Sequence, residues 1–135
     1  MHHYPVKILV ALGEAIGGNS KILYWLMHNG YPELAALANA LHGNEEALAW
    51  LLKHRFPHLA ALSQAIWDDD KALEWLKKNN FHLMENLAKA TRGDQEALQY
   101  FENNQLQLFV ILSKKIAAFK ARKEDDLSDY HKIQY

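Results

Sequence analysis

Two groups of side chains in this chain have the type and spacing to bind a cation. His54 and His58 lie four apart, the interval that puts two imidazoles on one face of a helix and suits zinc. Asp68, Asp69 and Asp70 are three successive carboxylates, the hard oxygen donors of a calcium or magnesium site. Neither group is completed. Phe56 and Pro57 lie between the histidines. Proline fits the first turn of a helix, so the two rings should leave different elements. Consecutive carboxylates do not converge on one point, Asp69 is better used as a helix N-cap, and no calcium-loop pattern follows. His28, His42, His82 and His131 are scattered. The chain has no glycine-rich phosphate loop, no GxSxG and no HExxH, and no nucleophile, base and orienting group recur together. A non-enzymatic chain without metal or cofactor is expected.

The elements that carry these residues are set by a strict period of 25. Ala15, Ala40, Ala65 and Ala90 repeat at that interval, as do Leu12, Leu37, Leu62, Leu87 and Leu112, and Trp25, Trp50, Trp75 and Tyr100. Gly18, Gly43 and Gly93 share a slot with Asp68; the next slot holds Asn19, Asn44, Asp69 and Asp94. In residues 34–58, Leu34, Leu37, Ala38 and Leu41 form one helical face. Gly43 then suits a left-handed turn and Asn44 an N-cap, with Glu45 and Glu46 in the favoured first turn. Ala47, Leu48 and Leu51 form the buried face of a second helix, and Phe56–Pro57 leads into the next copy.

Helices this short are marginal alone and must stack. The predicted fold is all-α: a right-handed α/α solenoid of four 25-residue helix pairs plus a C-terminal capping helix over 105–123. Residues 1–123 form one helical-repeat domain and 124–135 a tail. The small residues Gly13, Ala38, Ser63, Ala88 and Ser113 mark close helix approach. The tryptophan column is expected to fill the core between repeats. Tyr31, Phe56, Phe81 and Leu106 are expected to make the apolar contact of helix ends.

In the segment ALHGNEEALAWLLKHRF the order of alanine, glycine and apolar residues resembles the helix pair of an ankyrin repeat. Gly30, twelve beyond Gly18, sits where that family commonly has glycine after its second helix. The likeness covers four copies. The ankyrin period is 33, and its threonine-proline-leucine-histidine opening and β-hairpin finger are absent here. The resemblance implies a stacked helical array that binds macromolecules, and it names no partner.

Identical slots build the stack, so the differing slots are candidates for recognition. On the first helix of each pair they form the stripes Ala35–Asn39–His42, Ala60–Gln64–Trp67 and Glu85–Lys89–Arg92, flanked by Val10–Glu14–Gly17 and Val110–Lys114–Ala117. Laid side by side, they make a surface passing from acidic to basic, with Trp67 exposed at its centre. The expected function is a scaffold that binds a protein or peptide there, through Asn39, His42, Gln64, Trp67, Glu85, Lys89 and Arg92. A left-handed Asp68 costs on the order of 1 kcal/mol, and departures from local rules tend to cluster at functional sites.

A second reading is self-association as a homodimer through Val110, Ile111 and Phe119 on the final helix. A third is nucleic-acid binding through Lys89, Arg92, Lys114, Lys115, Lys120, Arg122 and Lys123; a formal net charge of −1 weighs against it. Half of the residues are hydrophobic, too many for a disordered chain, yet no apolar run is long enough to span a bilayer. Glu14 interrupts the apolar start, so no signal peptide is expected there. The chain has no cysteine, which fits a reducing compartment, and a cytoplasmic location is expected.

Overall fold

The computed structural model describes Met1 and residues 3–133, with side chains through residue 126. Among these residues the chain is all helix: α1 Val6–Ile16, α2 Ser20–His28, α3 Pro32–Leu41, α4 Glu45–Lys53, α5 Pro57–Ile66, α6 Asp70–Lys78, α7 His82–Thr91, α8 Gln95–Asn103 and α9 Gln107–Ile133. The period of 25 thus produces four helix pairs and a ninth helix.

The turns follow from the repeated slots. Gly18, Gly43, Asp68 and Gly93 all have positive φ. Each lets the next backbone N–H reach back to a carbonyl five residues earlier, as in Asn44 to Asn39 at 3.1 Å and Asp69 to Gln64 at 3.1 Å. The same residues then cap the following helix: Asn19, Asn44, Asp69 and Asp94 accept from N–H groups of its first turn. The second turn is equally regular. Gly30, Arg55, Asn80 and Gln105 are left-handed, and the N–H groups of Tyr31, Phe56, Phe81 and Leu106 bond Leu26, Leu51, Leu76 and Phe101.

The ninth helix behaves differently from a simple cap. At the turn slots it has Ala118 in place of glycine and Phe119 in place of Asn or Asp, so the signals for a break and a new cap are missing. The helix runs on, past the expected limit of residue 123, to Ile133. The expected tail is therefore helical through that residue; its side chains beyond 126, and residues 134–135, lie outside the described residues.

The odd-numbered helices pack in succession, α1 on α3, α3 on α5, α5 on α7 and α7 on α9, and α9 packs back on α1. They form a closed inner ring. Each of α2, α4, α6 and α8 lies over the junction of two neighbouring inner helices, touching both. Leu12, Leu37, Leu62, Leu87 and Leu112 are fully buried in the ring, and Leu26, Leu51, Leu76 and Phe101 anchor the outer helices. Burial of each such side chain stabilises by about 1.5–3 kcal/mol, and it is this packing that holds helices of nine to eleven residues. The small slot Gly13, Ala38, Ser63, Ala88, Ser113 is buried throughout, as its size requires.

The tryptophan column departs from expectation. It does not fill the core between repeats; the adjacent leucine slot does. Trp25 is 46% exposed and Trp75 37%. Each ring lies on the connector aromatic of its own copy, Trp25 on Tyr31, Trp50 on Phe56 and Trp75 on Phe81, with interplanar angles of 18°, 6° and 10°. One position along a helix is a large rotation, enough to move the indole from the core to the rim.

Candidate functional site

The predicted recognition stripe is divided by the fold. Ala35, Ala60, Glu85 and Val110 are buried. Glu85 is held by Lys89 at 2.9 Å and His82 at 3.5 Å. Asn39 lies in a shallow cleft with Met27, Glu46 and Trp50, between α2 and α4, and Gln64 is exposed one repeat on. His42, Trp67 and Arg92 end their helices and gather instead at one mouth of the ring.

At that mouth the variable slot performs one repeated task. The His42 ring nitrogen donates to the Ile16 carbonyl at 2.8 Å. The Trp67 indole N–H donates to Leu41 at 2.9 Å. Arg92 donates through Nε and Nη2 to Ala65 at 3.1 and 2.8 Å. His42 and Trp67 thus satisfy carbonyls left open at the C-terminus of the preceding inner helix, and Arg92 adds to the Ala65 carbonyl, which also accepts from the Asp68 N–H. His42, Trp67 and Arg92 differ in size and charge, yet each has a side-chain N–H to give; Gly17 and Ala117, at the two ends of the same column, do not.

The long ninth helix crosses this mouth. Phe119 is buried, with its ring 4.3 Å from that of His42 and 6.3 Å edge-on from Trp67. Lys120 reaches the Asp68 carboxylate at 2.8 Å and lies 5.8 Å from the Trp67 ring centre. Asp68 also faces Arg92 Nε at 3.6 Å, and Arg92 binds Asp70 at 2.9 Å. The irregular third copy is therefore where α9 is fastened down. Trp67, expected as an exposed anchor, is half-buried and already engaged. Spacing alone does not reveal the partner of Asp68, because the fifty-two positions to Lys120 are bridged only by ring closure.

A second feature lies on the outside of the ring between α1 and α9. Among the described residues, four junctions of the inner ring are covered by an outer helix and this one is not. Its floor is a groove of Leu9, Val10 and Gly13 facing Leu108, Ile111, Leu112 and Lys115. In the covered positions the counterparts Ala35, Ala36, Ala60 and Ala61 are buried. Here Val10 is 44% and Ile111 53% exposed. Lys115 takes the slot of the alanine column, crosses Gly13 and pairs with Glu14 at 2.8 Å. A signal was present in the sequence: Val10, Ile111 and Lys115 are each larger than their alanine counterparts in α3 and α5.

Of the residues expected to mediate self-association, Val110 and Phe119 are buried within the chain and Ile111 alone is exposed. Of those expected to contact nucleic acid, Lys89, Arg92, Lys115 and Lys120 are held by carboxylates.

The opposite mouth is covered by the N-terminal segment. Met1 is buried there, and Tyr4 donates to Glu33 at 3.1 Å. Burial, reinforced by Glu33, pushes the Tyr4 phenol well above its ordinary value. His58 stacks on Phe81 with ring centres 5.1 Å apart, and burial holds its pKa below the usual imidazole range. His54 turns elsewhere, bonding the Trp50 carbonyl and stacking on that indole. The two histidines therefore do not share a site. Among the described residues no group of three or more His, Cys, Asp or Glu side chains is placed to hold a metal ion. None of the described helices is long and apolar enough to cross a membrane.

No protein-family model matches this chain, and no curated protein or solved structure matches it significantly.

Proposed function

We propose that this protein is a non-catalytic helical-repeat scaffold that binds a segment of another protein on its first-helix surface. The observation that carries this reading is the uncovered junction between α1 and α9. There, apolar side chains that the fold covers in the other junctions face solvent. Exposed apolar surface of this kind, set in a groove with charged residues at its margin, is characteristic of interaction sites. The ankyrin-like order of residues points the same way. Relative to the expected stripe, the reading moves the apolar anchor from Trp67 to Val10 and Ile111, and leaves Asn39, Gln64 and Lys89 as polar neighbours on the other inner helices.

The test is selection from an unbiased displayed-peptide library, followed by titration of the winners against variants. Binding should weaken at least about tenfold, equivalent to about 1.4 kcal/mol, with Ile111→Glu. It should be unchanged by Leu52→Glu, an exposed substitution on an outer helix. Failure to select any ligand, or ligands indifferent to substitutions on every inner helix, overturns the proposal.

A further inference from the structure

We infer that the α1/α9 groove is the seat of a fifth outer helix supplied by a partner: an amphipathic helix with an acidic first turn and an alanine–leucine face. This inference rests on the scaffold reading and specifies its ligand.

The protein itself provides the template. Four equivalent seats are occupied by α2, α4, α6 and α8, and three of these carry the same inward face: Ala47, Leu48 and Leu51; Ala72, Leu73 and Leu76; Ala97, Leu98 and Phe101. The fifth seat has the same floor slots. Its Leu9, Val10 and Gly13 correspond to Leu59, Ala60 and Ser63, and its Ile111 and Leu112 to Ala36 and Leu37, which α4 covers from either side. The bulk of Val10 does not bar a helix, because Val110 has the same slot and is buried beside α8. Among the described residues no helix lies over this junction, since α9 continues where every other inner helix turns back.

Charge sets the direction of the guest. Outer helices begin beside the C-terminal ends of inner ones, because only a tight turn separates them. Their first turns are acidic in α4, α6 and α8, with Glu45 and Glu46, Asp70, and Glu96. In the fifth seat the corresponding end is lined by Gly17, Lys115 and Arg122 beside Glu14. Lys115 is available to a carboxylate of the guest in exchange for its exposed pair with Glu14, which is worth little. A helix with its acidic N-terminus at Lys115 and Arg122, and its leucines over Val10 and Ile111, matches both ends of the groove.

The probe is a fluorescein-labelled peptide of residues 44–55, used in linear form and with a lactam bridge between Ala49→Glu and Lys53, both exposed positions in α4. The bridge removes poor helicity as a cause of failure. Anisotropy should show saturable binding that is tighter for the bridged form. Ile111→Glu should weaken it at least about tenfold, with the circular dichroism of the protein unchanged. A bridged peptide carrying Glu45→Lys and Glu46→Lys should bind several-fold more weakly. Absence of binding by the bridged peptide at millimolar concentration overturns the inference, as does binding insensitive to Ile111→Glu, which would indicate displacement of α4 itself. Self-association abolished by Ile111→Glu would assign the groove to a second copy and also overturn it. Library selection separates the two proposals: an extended ligand lost on Ile111→Glu defeats the helix while leaving the scaffold reading in place.

Discussion

The Lys120 ammonium meets the Asp68 carboxylate at 2.8 Å, joining residues fifty-two positions apart across one mouth of the ring. Lys120 is largely buried there, and Asp68 holds a left-handed backbone that glycine occupies in three other copies. Two opposing effects therefore act at position 68. The ion pair contributes about 1 kcal/mol, discounted because Asp68 is more than half exposed. The backbone costs on the order of 1 kcal/mol relative to glycine. Asp68→Gly should leave stability within about 0.5 kcal/mol of the parent, whereas Asp68→Asn should lose about 1 kcal/mol. Urea midpoints at low salt will show the order, and equal stability of parent and Asp68→Asn would mean the pair contributes nothing.

Trp67 and Phe119 should be energetically coupled. Trp67→Phe removes the N–H donated to Leu41 together with part of a half-buried ring, and should cost about 1–2 kcal/mol. Phe119→Ala removes a buried ring that bridges two helix ends and should cost about 3 kcal/mol. A double-mutant cycle with Trp67→Ala should return a coupling of about 1 kcal/mol, the range for an edge-on aromatic pair. Additive losses would show that the two rings are neighbours without interaction.

Gly13 lies inside α1, where alanine is favoured by up to about 1 kcal/mol. A methyl group there would lie 3.2 Å from the Cδ of Lys115 and 3.4 Å from Leu112. The lysine stem is flexible and can shift by the few tenths of an ångström needed. Gly13→Ala should stabilise by about 0.5 kcal/mol in thermal or urea unfolding. Destabilisation would place the rigid Leu112 contact in control.

His58 gives the fold a dependence on acid. Its folded pKa is depressed, so between that value and the unfolded value of about 6.5 the unfolded chain holds a proton that the native protein does not. Stability is therefore fully present above the unfolded value and declines as pH falls through the window below it. Unfolding midpoints between pH 8 and pH 5 should fall with acid, and His58→Phe, which keeps the stack on Phe81, should flatten that part of the profile.

Much of the fold was legible because local and global signals agreed. The alanine, leucine and turn-glycine columns each announce the same helix pair, and Asn44 and Asp69 cap where their chemistry predicts. Closure was not legible as a pattern. It depends on the small angle each pair adds, which packing sets and spacing does not reveal. One clue lay in the absence of turn residues at Ala118 and Phe119. The setting of Trp67 was not legible for the same reason. Trp67 breaks its column, and that departure marks contact with a distant helix rather than with solvent. Val10 and Ile111 are ordinary apolar residues in sequence; only the missing neighbour exposes them.

A circle also fixes how many units the molecule can have. An open stack lengthens or shortens by whole modules with little penalty, since each touches only its neighbours. Here five inner helices complete the circuit, so duplicating one 25-residue module would pull the first and last apart and strip both ends of their cover. Folding inherits the same constraint. Contacts between the start of the chain and residues near 115–120 carry a large loop-closure penalty and raise contact order, so the final step should be slow and all-or-none rather than a sequence of independent zippings.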